Sequence, residues 1–183
     1  TLLAFRALQG LSTGAGIVVR RSHGRNRYYA FADANLAHAL EQLGDGCSGA
    51  PVTSLRLSRE QRRVRLARTC YDHLAGQLGV ALADHFVAEA WIDPTMTSLT
   101  QAGCAAFARE FGVAVPAGRR AVLRPCRDWT ERRDHIAGAL GAAVAAAFLD
   151  AGWVARRRGS RALTITAAGQ VRLGELGVSG YGG

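Results

Sequence analysis

Half of one twenty-residue stretch is written again 62 residues further on: DHLAGQLGVALADHFVAEAW at 72–91 and DHIAGALGAAVAAAFLDAGW at 134–153 share ten residues. The shared set includes Asp-His, Ala-Gly, a Leu, a Gly, a Phe and the closing Trp. The likeness runs on, since SLTQAGCAAFAREFGV at 98–113 answers ALTITAAGQVRLGELGV at 162–178 with a Thr-x-x-Gly step and a final Gly-Val. A unit of about sixty residues exceeds the roughly 20–45 residues of a solenoid repeat and suits a small duplicated domain. The C-terminal two thirds of the chain are therefore expected to be two copies of one fold.

With 183 residues, 49% of them hydrophobic, two such units can bury a real core. The chain carries 23 basic residues, every one of them arginine, against 14 acidic ones, for a formal charge of +9. That sign favours a polyanionic partner, although the absence of lysine beside abundant Ala and Gly points to G+C-rich coding as one source of the arginines. The longest apolar run, 136–149, holds 14 residues, so no membrane partner is expected. Cys47, Cys70, Cys104 and Cys126 form no CxxC pair, which fits a reducing cytoplasm better than a disulfide scaffold. The chain opens at Thr1 with no secretory signal, and is expected to be a fragment lacking its natural beginning. It offers no Gly-rich phosphate loop, nucleophile elbow or HExxH helix, so no enzyme and no catalytic residue are expected.

Along the chain, an apolar helix-compatible stretch at 2–11 gives way to IVVRR, SHGRN and RYYAF, two β-rich runs around a polar turn, which predict a hairpin. ADANLAHALEQL follows, with Asp33 placed to cap a helix bearing Leu36, Ala39, Leu40 and Leu43 on one face. Residues 1–46 are thus expected to be a partial winged helix: the end of a recognition helix, a wing and a helix. Residues 47–62 are expected to be a linker and the start of a basic helix. In the latter, six arginines in thirteen residues (Arg56, Arg59, Arg62, Arg63, Arg65, Arg68) read first as a solvated face and second as a phosphate-contacting strip. Residues 63–183 are expected to hold the two homologous units, 65–113 and 122–178, each with a helix, a short hairpin and a second helix. The expected class is mainly α with small β-hairpins (α+β), a winged-helix fragment followed by a duplicated winged-helix-like region.

GIVVRRSHGRNRYYAFAD resembles the wing of ArsR-type winged helix-turn-helix repressors. ARTCYDHLAGQLGVAL and RPCRDWTERRDHIAGALG resemble the long C-terminal region of one ArsR-like subfamily. The resemblance implies a cytoplasmic DNA-binding transcriptional regulator, repressor-like and homodimeric, with most of its helix-turn-helix preceding residue 1. Its partner would be operator duplex DNA, and the C-terminal region would serve dimerisation or effector sensing. Independently of the family, Arg20, Arg21, Arg25 and Arg27 surround a Gly24 turn, where guanidinium forks can bridge phosphates or enter a minor groove, and Tyr28 can support the basic tip. A merely solvated hairpin is the plainer alternative, and a sensor or protein-interaction module that does not itself bind DNA is the competing function.

The repeated Asp72-His73 and Asp134-His135 are expected first as structural helix starts, with the aspartates as N-caps. A sharper alternative notes that Cys70 precedes His73 by three residues and Cys126 precedes His135 by nine, with Asp128 between. Cys70, Asp72, His73, Cys126, Asp128 and His135 are the candidate effector or redox residues. A thiol beside arginines and a helix N-terminus would have a depressed pKa and sense oxidants, whereas the unequal gaps count against a shared metal site. No cofactor is expected on that ground. Gly76, Gly79, Gly138 and Gly141 predict a close approach of another segment, and Cys47, Cys104, His23 and His85 are expected to be incidental.

Overall fold

In a computed structural model the described residues are 15–23, 26–33, 35 and 55–181, with the backbone alone for 20–23, 26–30 and 55–58. The expected recognition helix at 2–11, the Gly24–Arg25 turn, the helix at 36–43 and the linker at 44–54 lie outside them. The chain divides into two units, Thr1–Cys47 and Ser48–Gly183.

In the first unit, β1 (Val18–His23) pairs antiparallel with β2 (Asn26–Phe31), Val18 opposite Phe31 and His23 opposite Asn26. Valine and tyrosine favour this extended backbone. Beyond the ladder Ala32 N–H donates to the Ile17 carbonyl at 2.9 Å. Asp33 accepts from the N–H of Asn35 at 2.5 Å, as a helix-capping carboxylate does.

The second unit is α+β, built of five helices and three two-stranded antiparallel hairpins among the described residues. After α1 (Leu55–Leu66) comes a hairpin of β3 (Arg68–Cys70) and β4 (His73–Ala75), then α2 (Gln77–Ala88) and α3 (Gln101–Phe111). A second hairpin, β5 (Arg124–Arg127) with β6 (Asp134–Ala137), leads to α4 (Gly138–Asp150). A third, β7 (Val154–Arg156) with β8 (Leu163–Ile165), leads to α5 (Ala167–Glu175). Each Asp-His therefore belongs to a hairpin and not to a helix start: Asp72 sits in the β3–β4 turn, Asp134 opens β6, and the helices begin three or more residues later. Glycine at 76, with φ of 78°, and at 138, with φ of 88°, turns each strand into its helix.

Equivalent contacts recur in the two halves. Thr100 and Thr166 both cap a helix by accepting from Gly103 N and Gly169 N, at 2.8 and 3.0 Å. Their own N–H groups donate to the carbonyls of Trp91 and Trp153, each at 3.0 Å. A Cβ at Gly103 or Gly169 would lie about 2 Å from those same carbonyl oxygens, so neither position has room for a side chain. Where the second half forms β7–β8, the first has a single bridge, Ile92 to Leu99, closed over a turn that Asp93 organises through the N–H groups of Thr95 and Thr97. Pro94 has no N–H with which to extend that bridge into a ladder.

Both halves share one core. Phe86 stacks on Trp91 at 5.3 Å, and Phe111 reaches across to Phe148 at 5.6 Å and Trp153 at 6.2 Å. Phe86, Phe107 and Phe148 are fully buried, and truncating one such ring costs about 3–5 kcal/mol in transfer and cavity terms. Over the edge of this core Arg172 of α5 pairs with Glu110 of α3 at 2.6 Å while lying on the Trp153 ring. Among the described residues no helix is long and apolar enough to cross a membrane.

Candidate functional site

The strand register resolves the unequal Cys-to-His gaps. Cys70 pairs directly with His73 across β3–β4, and Cys126 directly with His135 across β5–β6. In the first hairpin a two-residue turn, Tyr71 and Asp72, joins the pair, with Tyr71 in the left-handed region at φ 56°. In the second the extra residues form a loop knit around Asp128, which accepts from Thr130 N, Thr130 Oγ1 and Glu131 N at 2.9, 2.8 and 3.2 Å. The insertion lengthens the tip and leaves the cross-strand pair in place, so it does not argue against a shared site.

Hairpin and helix are exchanged between the halves: α2 packs on β6 and α4 on β4. Glycine permits this approach. A Cβ at Gly79 would meet the Leu74 carbonyl oxygen at 2.6 Å and the His135 Cβ at 3.6 Å, and one at Gly141 would meet the Ile136 oxygen at 2.7 Å and the His73 Cβ at 3.3 Å. Each helix therefore presses the other half's histidine inward. The outcome is a four-residue cluster in which Cys70 Sγ and Cys126 Sγ are 3.7 Å apart and His73 Nε2 and His135 Nε2 are 3.1 Å apart. All four donor atoms lie within 4.8 Å of one another, and every one of these side chains is at most 3% exposed.

The outer nitrogens of both imidazoles face carboxylates. His73 Nδ1 lies 3.2 Å from Asp72 Oδ1, and His135 Nδ1 lies 3.3 Å from Asp128 Oδ2, the latter close as an ion pair but without hydrogen-bond alignment. Each carboxylate is in turn held by an arginine. Arg120 grips both oxygens of Asp72 at 2.6 and 3.1 Å, while the wholly buried Arg68 meets Asp128 at 2.8 Å and also donates to Thr130 and the Val64 carbonyl. Gly76 N–H adds a further donor to Asp128 at 2.7 Å. Burial works against the charge on both aspartates, yet His73 with Arg120, and His135 with Arg68, outweigh it and hold both carboxyls well below their usual range. Burial likewise opposes a charge on His135, but Asp128 and the Cys70 thiol prevail and move its pKa upward.

Cys70 corrects one expectation. Its hydrogen bond with Cys126, and then its burial, push the thiol up to about 12, away from the depressed value of an oxidant-sensing thiolate. The arginines around the cluster are engaged elsewhere: Arg68 on Asp128, Arg120 on Asp72, and Arg127 with Asp134 at 3.4 Å on the surface. Cys104 lies on α3, outside the cluster. Arg120 and Thr130 are parts of the site that the sequence does not single out, and the contacts of Arg68 and Gly76 with Asp128 are likewise not legible in it. In sequence Arg68 reads as part of a solvated basic run, whereas it falls beyond the end of α1 and its side chain is 1% exposed. An arginine two residues before the cysteine, in a hairpin rather than a helix, was the available signal.

In the first unit, Arg20 and Arg21 occupy β1 opposite Tyr29 and Tyr28, and Arg27 on β2 pairs with Ser22. Arg25 lies outside the described residues.

No family model matches the chain. A protein of Bacillus subtilis (strain 168), named the uncharacterized HTH-type transcriptional regulator YdfF, is 39% identical over 162 residues, covering 86% of this chain and 71% of its own. No solved structure matches.

Proposed function

Because the chain belongs to the HTH-type transcriptional regulators, we propose that it acts as an operator-binding regulator of the ArsR-like winged-helix kind rather than as an enzyme, working in the cytoplasm as a homodimer. The 39% identity over 162 residues carries this reading. The net charge of +9 supports a polyanionic partner, and the β1–β2 hairpin supports a wing, since its ladder brings Arg20, Arg21 and Arg27 onto two adjacent short strands. Such arginines position a protein on phosphates, while base readout falls to the recognition helix. The Ser48–Gly183 unit, with its buried Cys/His cluster, is the part suited to dimerisation or effector response.

The test is DNA affinity as a function of salt, measured on the full-length regulator with Arg20→Ala, Arg21→Ala and Arg27→Ala. Each lost phosphate contact should weaken binding across sequences and reduce the log-log salt slope by roughly one unit. Wild-type affinity and slope in all three variants would remove the wing from the contact surface.

A further inference from the structure

We propose that Cys70, His73, Cys126 and His135 form a mononuclear, four-coordinate site for a zinc-class divalent ion, tying the two halves of the Ser48–Gly183 unit together. The site lies wholly within the second unit and is independent of DNA binding.

Three independent features point to a cation at this place. The first is the facing of the histidines. Each imidazole turns Nδ1 outward to a carboxylate, at 3.2 Å for His73 and 3.3 Å for His135, and so points Nε2 inward, toward the other histidine. The two inward Nε2 atoms meet at 3.1 Å in a buried site, close enough to share a proton or to bind one metal ion in its place. A carboxylate at the second nitrogen is also the usual outer arrangement of a metal-ligating histidine; Asp72 is hydrogen-bonded there on His73, and Asp128 lies at ion-pair distance on His135.

The second feature is size. A tetrahedral ion with metal–sulfur bonds of about 2.3 Å and metal–nitrogen bonds of about 2.0–2.1 Å sets its sulfurs about 3.8 Å apart and its nitrogens about 3.3 Å apart. The two sulfurs are 3.7 Å apart and the two nitrogens 3.1 Å apart. With every donor within 4.8 Å of every other, the four atoms fit around one ion once the widest pair closes by about 1 Å, and they are too close together for a two-iron cluster between them.

The third feature is charge. Asp72 is matched by Arg120 and Asp128 by Arg68, so the surrounding shell is already neutral. A divalent ion bound by two thiolates and two neutral imidazoles adds no net charge to the buried site, and its binding releases the two thiol protons: M²⁺ + 2 Cys–SH gives M(S–Cys)₂ + 2 H⁺. Two sulfur and two nitrogen donors in a closed four-coordinate set select zinc over magnesium, calcium or manganese. With four protein donors no position is left for substrate, so the ion is structural or regulatory and not catalytic.

The experiment uses the full chain, purified without metal-affinity resin, loaded with Zn²⁺ or Co²⁺ and passed through a desalting column. One zinc per chain by elemental analysis is expected, and the Co²⁺ form should show intense ligand-field bands in the red with a thiolate charge-transfer band in the near-ultraviolet. Cys70→Ser with Cys126→Ser should abolish the charge-transfer band, and Cys104→Ser should leave it unchanged. Asp72→Asn and Asp128→Asn keep all four ligands and should weaken zinc affinity by roughly 10–100-fold. If the double cysteine variant does not fold, the wild-type Co²⁺ spectrum still decides. A wild-type chain that retains no ion, one whose cobalt spectrum is that of the hydrated ion, one isolated with iron and acid-labile sulfide, or one in which Cys70 and Cys126 form a disulfide in place of binding metal would each overturn the proposal. Failure of the chain to bind DNA while holding one zinc would count against the regulator reading alone.

Discussion

Arg68 shows how much rests on single residues behind the cluster. It is buried to 1% exposure, pairs with an Asp128 that is wholly buried, and lies over Trp129 at 4.9 Å from the ring centroid. Removing one member of a buried pair leaves the other charge without compensation, at about 3–5 kcal/mol. Arg68→Ala should therefore lower the free energy of unfolding by about that amount in urea titrations, and an unchanged midpoint would show that Asp128 finds its compensation elsewhere. At Gly79 the obstacle is steric. The Leu74 carbonyl oxygen stands 2.6 Å from where a Cβ would go, so Gly79→Ala should destabilise by about 1–3 kcal/mol despite alanine's better helix propensity. Gly174 on α5 meets nothing within 4 Å, and its replacement by alanine should be neutral or slightly stabilising in the same titration.

At the level of elements, the places where sequence reading succeeded and failed have physical causes. Val18, Val19, Tyr28 and Tyr29 around a polar turn announce the hairpin, because β-branched and aromatic residues leave a short run little else to form. The helices at 77–88 and 138–150 are legible from their apolar spacing. Asp72-His73 misleads because aspartate before an apolar run is also how a helix starts, and only Gly76 marks where the helix begins. The cluster is half visible in sequence: its four members are among the six candidate effector residues, but the gaps of three and nine residues hide that both pairs sit directly opposite in their hairpins. Loop insertions at a hairpin tip change the spacing in sequence and not the cross-strand partner. The turn at 93–98 carries its own prediction. Hydrogen bonds from Thr95 and the Ser98 and Thr97 N–H groups hold the Asp93 carboxyl at about 2, below its ordinary 3.8. A carboxyl depressed in the folded state contributes stability above its unfolded pKa and loses it as pH falls through the folded one. The stability advantage of wild type over Asp93→Asn should thus be full above pH of about 4 and shrink toward pH of about 2. A difference that is constant across that range in acid titrations would show that the turn does not depend on the charge.

For the whole molecule, one logic links duplication, packing and site. Two similar sequences build two hairpin-helix units; each helix crosses onto the other unit's hairpin; and the crossing sets the paired Cys-His strands face to face, His73 against His135 and Cys70 against Cys126. A site made jointly by both halves is placed to fix their mutual arrangement. The most direct measurement is X-ray absorption at the zinc edge of the zinc-loaded full chain. The account predicts a shell of two sulfurs at about 2.3 Å and two nitrogens at about 2.0–2.1 Å. A shell of oxygens only, or of sulfurs only, would contradict it.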